Sequence, residues 1–199
     1  MNDDERSALR ARAAERMRAA QQVLDELDLL ARWRPFSEPV VVGSAALDLV
    51  VRPDIDVEFM VDELSIRNGF DVITDCAELP KVRSARFNDA RDKPEQGLYW
   101  KLFYELTPTE TWTLDLWMFR RDHPGPLAST MTEPIRAALT PEMRDAILAI
   151  KEAAVERGER APGHWLYRAV INEGVRTYAE FLDWFGDRDI WAREPWTPR

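Results

Sequence analysis

The sequence predicts a protein of the α/β (α+β) class, with β-strands in the middle of the chain and helices on either side. Residues 4–33 carry apolar side chains at spacings of three and four, the period of a helix with one buried face. Three later stretches, 54–61, 97–106 and 111–119, show the two-residue alternation of strands. Helical spacing then returns, so we expect a core domain over residues 1–125 and a helical region over residues 126–199.

The composition describes an ordinary folded protein with an excess of acidic groups. Hydrophobic residues make up 45% of the 199 residues, and the formal net charge is −9. A chain of this length can bury a substantial core. Proteins that bind nucleic acid mainly through its phosphates carry an excess of Lys and Arg, so nucleic acid is the less favoured partner.

Targeting signals and cysteine content indicate the compartment. No apolar stretch approaches the ~20 residues that span a membrane, and the N-terminus is charged, without a signal segment. Cys76 is the only cysteine, which excludes an intramolecular disulfide and favours a small buried residue. We therefore expect a cytoplasmic protein with no membrane partner.

Helices are predicted at both ends of the chain. The first covers residues 4–33, and we expect its apolar stripe to pack on the sheet; the stripe consists of Leu9, Ala13, Met17, Ala20, Leu24, Leu27 and Ala31. A second helix begins at Thr140, whose hydroxyl can cap it, and ends at Gly158. A third is predicted from about residue 164 to residue 185.

Strands are predicted for residues 40–43, 54–61, 81–88, 97–106 and 111–119. The last two are separated by a short turn with a proline, so they should form an antiparallel hairpin. Between the second and third strands we expect a short helix over residues 62–68, ended by Gly69, and then a brief strand or a link at Val72 and Ile73.

Acidic side chains on two of these strands are the strongest functional signal. Asp54 and Asp56 share one face of their strand. Two charged groups so placed are poor core residues but good ligands for a hard cation such as Mg²⁺, which leaves room for phosphate. Asp115 is a lone acid in the apolar run WTLDLWMF, where it either pairs with a neighbouring Arg or lies close to a metal.

A Gly-Ser turn precedes the acid pair by nine residues. Gly43 permits positive φ, and Ser44 can cap a short helix through Leu47. Free backbone N–H groups at such a strand-to-helix turn suit a phosphate, although most Gly-Ser turns are only turns.

Together these residues resemble the nucleotidyltransferase-fold superfamily of DNA polymerase β-like proteins. The family's signature is an apolar residue, Gly-Gly or Gly-Ser, a spacer, then acid–apolar–acid–apolar, with a third acid on a later strand. This sequence has Gly43-Ser44, the run 54–57 (DIDV) and Asp115. The resemblance implies a mixed sheet flanked by helices. Size and the helical C-terminal extension resemble small stand-alone members, among them antibiotic nucleotidyltransferases and toxin–antitoxin transferases.

The resemblance also implies a reaction, the Mg²⁺-dependent transfer of a nucleoside monophosphate from an NTP such as ATP to a hydroxyl or amine. By position, Gly43 and Ser44 would hold the phosphates, and Asp54 and Asp56 would bind Mg²⁺. Asp115 would bind a second metal ion or act as base on the attacking hydroxyl. Two ions can hold the attacking and leaving oxygens of an in-line displacement, so a two-metal site is implied.

Two cations near the acids are further candidates for nucleotide binding. Lys101, on the polar face of the hairpin, either holds a phosphate or pairs with Glu105 or Glu58. Arg52, next to Pro53 and the acid pair, either steers phosphate or caps a surface loop.

The expected acceptor is a small molecule, because an acidic chain favours cationic ligands. One alternative is a toxin-type transferase acting on tRNA or protein, which would need a basic groove built from Arg83, Arg86 and Lys101. Another is an inactive binding module. Asp48 keeps that option open, because many small members have a glycine there and an acid near the triphosphate would repel it.

Self-association is a further possibility for the chain. The C-terminal tail carries Trp191 and Trp196, which are candidates to cover a groove or a partner subunit in a homo-oligomer.

Overall fold

The structure, a computed structural model, describes residues 1–190, 192 and 194–199. It divides into a helical unit (residues 1–17, 46–52 and 126–199) and a sheet unit (residues 18–45 and 53–125). One break between the units lies after residue 125, and residues 1–17 and 46–52 belong to the helical unit, so the division into domains 1–125 and 126–199 stays a prediction. Trp191 lies outside the described residues, and Trp196 is partly buried against the core of the helical unit.

Along the described residues the elements follow one another as α1 (Asp3–Leu27), α2 (Leu29–Trp33), β1 (Pro39–Val42), α3 (Gly43–Ala46), β2 (Asp54–Val61), α4 (Ile66–Ala77), β3 (Val82–Ala90), β4 (Gly97–Thr107), β5 (Glu110–Arg120), α5 (Ala128–Ala138), α6 (Pro141–Glu156), α7 (Gly163–Asn172) and α8 (Tyr178–Phe185). In this part of the chain, none of the helices combines the length and the apolar character that crossing a membrane requires.

The five strands form one mixed sheet in the order β1-β2-β5-β4-β3. Strands β2 and β5 are parallel, and the other neighbouring pairs are antiparallel. The predicted fold class, a mixed sheet flanked by helices, is therefore confirmed. The predicted hairpin is also confirmed, because β4 pairs with β5 along nearly its whole length.

One face of the sheet is buried under helices of the same unit. Its apolar side chains come from alternate positions of β2, β4 and β5, as strand geometry requires. Trp33 of α2 stacks on Phe59 with ring centroids 3.9 Å apart, and it also contacts Trp100. These large rings contribute much of the hydrophobic stabilisation of the sheet unit.

The prediction of a single N-terminal helix over residues 4–33 is wrong. Asp28 has φ 48°, so the helix ends there and α2 begins in a new phase. Leu29 and Trp33 are fully buried as a result, while Ala31 is exposed. The apolar stripe also does not pack on the sheet as a whole, because Leu9 and Ala13 belong to the core of the helical unit.

The short helix predicted over residues 62–68 is also wrong. Ser65 caps α4 by accepting a hydrogen bond from the Asn68 backbone, and the helix continues through Gly69 to Ala77. Gly69 therefore lies within the helix and does not end it. A Cβ at this position would collide with the ring of Trp100, so glycine is required here by packing. Val72, predicted in a brief strand or a link, lies in this helix.

The helices of the C-terminal region pack around their own apolar core. Thr140 caps α6 as predicted, by accepting a hydrogen bond from the backbone of Met143. The single helix predicted from 164 to 185 is instead two helices, α7 and α8. Thr177 starts the second with a capping box completed by Glu180, which favours a new helix over continuation of the first.

The segment 46–52 is fixed to the helices of this unit through its backbone. Arg136, Arg144 and Lys151 donate hydrogen bonds to the carbonyl oxygens of residues 46, 47 and 49, respectively. Asp48, inside this segment, is exposed and has φ 57°. Glycine adopts this left-handed conformation freely, and Asp tolerates it better than most residues. The backbone conformation therefore explains how Asp can occupy a position where glycine is usual.

Cys76 lies in α4 with no exposed surface, as predicted. Burial raises the pKa of its thiol to about 11.

Glu26, near the end of α1, accepts hydrogen bonds that join the helix to the sheet. Lys81 and Gln22 each donate a hydrogen bond of 2.6 Å to its carboxylate, and the hydroxyl of Tyr104 on β4 donates a third. The hydrogen bond from Lys81, followed by those from Tyr104 and Gln22, lowers the pKa of Glu26 to about 2. A lowered pKa means that the ionised form stabilises the fold, and that this stabilisation is lost as the pH falls.

The substitution Glu26→Gln should make unfolding less dependent on acid pH. We expect the free energy of unfolding at pH 7 to fall by about 1–2 kcal/mol, since the carboxylate is only partly shielded from water. Between about pH 4.5 and pH 2 the wild-type protein should lose this advantage and the two curves should converge. Urea denaturation at several pH values measures both. The control Glu15→Gln changes an exposed glutamate on the same helix and should behave like the wild type. If the stability of Glu26→Gln changed with pH as steeply as that of the wild type, the stabilising role of the Glu26 carboxylate would be contradicted.

Substitutions at Asp48 should separate backbone conformation from charge. Asp48→Gly and Asp48→Asn should stay within about 0.5 kcal/mol of the wild type, because both residues accept positive φ. Asp48→Val should lose about 1–2 kcal/mol, because a β-branched residue is strained there. Thermal or urea unfolding of the three variants measures the differences. A valine variant as stable as the glycine variant would show that the left-handed conformation is not required.

Candidate active site

The second face of the sheet brings the predicted acids together. In the parallel pair of β2 and β5, Asp56 lies directly opposite Asp115. In the antiparallel pair of β5 and β4, Asp115 lies opposite Lys101, and Lys101 lies opposite Arg86 of β3. A single cross-strand row therefore runs from two acids to two bases. Asp54, two residues before Asp56 on the same face, completes the predicted set of carboxylates.

Gly43 brings the backbone of the predicted phosphate-binding turn against this row. It follows Val42, which pairs with Asp56 in the antiparallel ladder of β1 and β2. Gly43 has φ 64°, and a Cβ placed on it would lie only 2.6 Å from the Asp56 carboxylate. Glycine is therefore required here twice, by the backbone conformation and by the space. Ser44 follows it, partly buried in the first turn of α3.

Asp115 is held by two side chains of β4. The Lys101 ammonium lies 3.0 Å from one carboxylate oxygen and 3.2 Å from the other. The Tyr99 hydroxyl donates a hydrogen bond to the first of these oxygens. The Asp115 and Lys101 side chains are 19% and 22% exposed, so the pair is largely shielded from water. Of the two alternatives for Asp115, the ion pair is present, with a lysine instead of an arginine, and proximity to a metal ion stays a prediction.

Tyr99 is a site residue that the sequence analysis missed. Burial raises the pKa of its hydroxyl, and the hydrogen bond to Asp115 and the negative charges of Asp115 and Asp56 raise it further. The hydroxyl therefore keeps its proton and remains a hydrogen-bond donor. The two-residue spacing of Tyr99 and Lys101 places both on one face of β4, and the sequence shows this spacing. Their contact with Asp115 depends on the register between β4 and β5, which the sequence does not show.

The cations predicted near the acids have different partners. Lys101 pairs with Asp115 instead of Glu105, which forms an ion pair with Arg83 at 2.7 Å. Arg86 is exposed, with its guanidinium 4.8 Å from the centre of the Phe103 ring.

Arg52 lies outside the sheet unit. It is exposed, at the end of the segment 46–52 of the helical unit. Its assignment to nucleotide binding stays a prediction.

Aromatic side chains border the row of charges. Trp117 shares the face of Asp115, and its ring lies 4.6 Å from that of Tyr99 and 5.4 Å from that of Phe119. Glu58 lies on β2, on the same face as Asp54 and Asp56, and it pairs in register with Trp117 of β5. Its side chain is buried, with only 3% of the residue exposed.

The carboxylates of the site are suited to one divalent cation more than to a cluster of ligands. Within residues 1–190, 192 and 194–199, no group of three or more His, Cys, Asp or Glu side chains is arranged to hold a metal ion. Asp54 and Asp56 nevertheless fit one hard cation, since both carboxylates lie on one face of β2 and the second adjoins the bare backbone of Gly43. The metal assignment of Asp54, Asp56 and Asp115 stays a prediction.

Comparison with known proteins gives remote likenesses only. No protein-family model matches the chain, and no curated protein matches it. Among solved structures, Cid1 in complex with its short product ApU is similar at 17% identity and a TM-score of 0.49, over 84% of this chain and 47% of that one. A cytoplasmic RNA terminal U-transferase is similar at 18% identity and a TM-score of 0.46, over 79% of this chain and 43% of the other.

A further structure of Cid1, described for its RNA terminal uridylyl transferase activity, is similar at 19% identity and a TM-score of 0.49, over 79% of this chain and 41% of that chain. The chain thus spans less than half the length of each of these proteins. With TM-scores below 0.5, the assignment of the site depends on its own geometry.

Proposed function

We propose that the chain is an Mg²⁺-dependent nucleotidyltransferase, which moves a nucleoside monophosphate from an NTP to a hydroxyl or amine of an acceptor. The observation that carries this proposal is the register of β2 and β5, which sets Asp56 beside Asp115. Nucleotidyl transfer depends mostly on positioning and on neutralising charge. Carboxylates on two neighbouring strands, next to a glycine turn, would position the phosphates indirectly, by holding the cation that neutralises their charge.

Five of the predicted residues have a role in this proposal. The backbone N–H groups at Gly43 and Ser44 would hold the phosphates, since the turn opens directly onto the carboxylate of Asp56. Asp54 and Asp56 would hold Mg²⁺, which supplies positive charge to the phosphates during transfer. Asp115 would either bind a second ion or accept a proton from the acceptor.

The reaction exchanges a phosphoric anhydride bond of the NTP for a phosphate ester or phosphoramidate bond to the acceptor. The acceptor oxygen or nitrogen attacks the α-phosphorus and loses its proton. The bond from the α-phosphorus to the bridging oxygen of the β-phosphate breaks, and pyrophosphate leaves with that electron pair. The acceptor then carries the nucleoside monophosphate.

For the acceptor we favour a small molecule. The chain has a net charge of −9, and two of the three cations that a basic groove would need, Arg83 and Lys101, are paired with acids. Such a surface favours cationic ligands over a polyanion. The similar proteins named above are described as acting on RNA, so RNA oligonucleotides belong in any panel of acceptors.

Nucleotide binding should depend on both Mg²⁺ and Asp56. We expect calorimetry with ATP, CTP, GTP and UTP to find at least one that binds with Mg²⁺ present and at least tenfold more weakly without it. Asp56→Asn should abolish the Mg²⁺-dependent part, because the carboxylate charge is lost. Asp122→Asn, at an exposed acid paired with Arg120, should bind like the wild type.

A second assay separates the enzyme from an inactive binding module. Labelled NTP is incubated with aminoglycosides, with transfer RNA and with short RNA. Release of pyrophosphate with labelling of one acceptor supports the proposal. Absence of NTP binding, together with an Asp56→Asn variant identical to the wild type, would reject it.

Gly43→Ala should disturb the phosphate-binding turn more than the same change does elsewhere. Positive φ alone should cost about 1–2 kcal/mol of stability in a non-glycine residue. Gly158→Ala is the matched control, because Gly158 has φ 69° and a Cβ added there would meet nothing within 4 Å. We expect both variants to lose stability in urea denaturation, while only Gly43→Ala loses NTP affinity, by tenfold or more. Equal NTP binding by the two variants would contradict the role of the turn.

A further inference from the structure

We propose that the ammonium group of Lys101 takes the place of the second metal ion, so that the site binds one divalent cation and Asp115 serves as the base. This inference rests on the proposed function and narrows it. It departs from the two-metal site that the sequence resemblance implies.

Both oxygens of Asp115 are already engaged. Lys101 lies within 3.0–3.2 Å of the two oxygens, and Tyr99 donates to one of them. A metal ion that used Asp115 would have to displace an ammonium group or a phenol. Breaking a shielded ion pair leaves an uncompensated charge, which is strongly unfavourable.

The positive charge of Lys101 lies in the same cross-strand row as the acids. Lys101 lies opposite Asp115, which in turn lies opposite Asp56, so one fixed cation occupies the same cross-strand row as the acids. The Lys101 side chain is 22% exposed, and partial exclusion of water strengthens its electrostatic effect on neighbouring groups. Once Asp115 has taken up the acceptor's proton, the charge of Lys101 is no longer compensated, and it can offset the charge that develops on the reacting phosphate without a second ion.

Asp115 retains lone pairs that can accept a proton from the acceptor. A carboxylate has about four lone-pair sites, and Tyr99 and Lys101 occupy only part of them. The proton of the acceptor hydroxyl or amine therefore has a place on Asp115 while both neighbours remain bound. Tyr99 and Lys101 act as positioning residues in this step, because they fix the orientation of the carboxylate.

Counting bound ions tests the inference without measuring activity. Mn²⁺, which has an electron paramagnetic resonance signal when free in solution, is titrated alone into the full chain. The wild type should bind one Mn²⁺ per chain. Lys101→Met should bind two, because Asp115 is then released, and the double variant Lys101→Met/Asp115→Asn should return to one. Lys101→Arg keeps the positive charge and should bind one.

Matched variants exclude a merely structural role for the ion pair. Arg86→Met removes the next cation of the same row, which contacts Phe103, and should leave the count at one. Lys101→Met should lower kcat about 100-fold with the KM for NTP changed less than threefold, and millimolar Mg²⁺ should restore part of the rate. If Lys101→Met does not fold, as judged by circular dichroism, Lys101→Gln replaces it in every comparison.

The outcomes separate this inference from the proposed function. Two ions in the wild type would overturn the role of Lys101 and leave the nucleotidyltransferase proposal standing. One ion in both the wild type and Lys101→Met would also overturn it, because Lys101 would then not exclude a second ion. No bound ion in the wild type would likewise overturn this inference, whereas the proposed function is decided by the NTP-binding test, because Mg²⁺ can also enter such a site together with the NTP phosphates.

Discussion

The position of β5 between β2 and β4 is the constraint on which the candidate site depends. Side chains along a strand alternate between the two faces of a sheet, so a register slip of one residue would turn Asp115 into the apolar core. Its neighbours Leu114 and Leu116 are fully buried, and they hold the register through hydrophobic packing. The same packing that stabilises the sheet therefore also determines which charged groups meet on its other face.

One face of the sheet is apolar and stabilises the fold, whereas the other face carries the charged groups of the candidate site. On the buried face, Trp33, Phe59 and Trp100 form a continuous aromatic cluster, and Gly69 lets α4 approach it closely. On the other face, charged groups cluster around Asp115. Charged groups of this kind would be costly in the core, but on the second face of a well-packed sheet they are held in place by pairing with one another.

The sequence predicted the strands well because alternation is a local pattern. A motif assigned Asp54, Asp56 and Asp115 to strands, and the structure pairs Asp56 with Asp115, while their role in metal binding stays a prediction. Prediction from the sequence failed where a single residue depends on distant structure. Asp28 breaks α1 with a conformation that no periodicity indicates, and Gly69 stays within α4 because of a ring that is remote in sequence. The partners of Asp115 were also not predictable, since Lys101 and Tyr99 reach it only through the register of the hairpin.

The burial of Cys76 has a practical consequence for spectroscopy. The chain has one thiol, which is inaccessible to solvent and has a raised pKa, so the reactive thiolate is scarce at neutral pH. A cysteine introduced on the surface would then be the preferred target of a maleimide dye or a nitroxide label, without removal of the native one. The protein is therefore suited, as it stands, to single-site labelling at a chosen surface position.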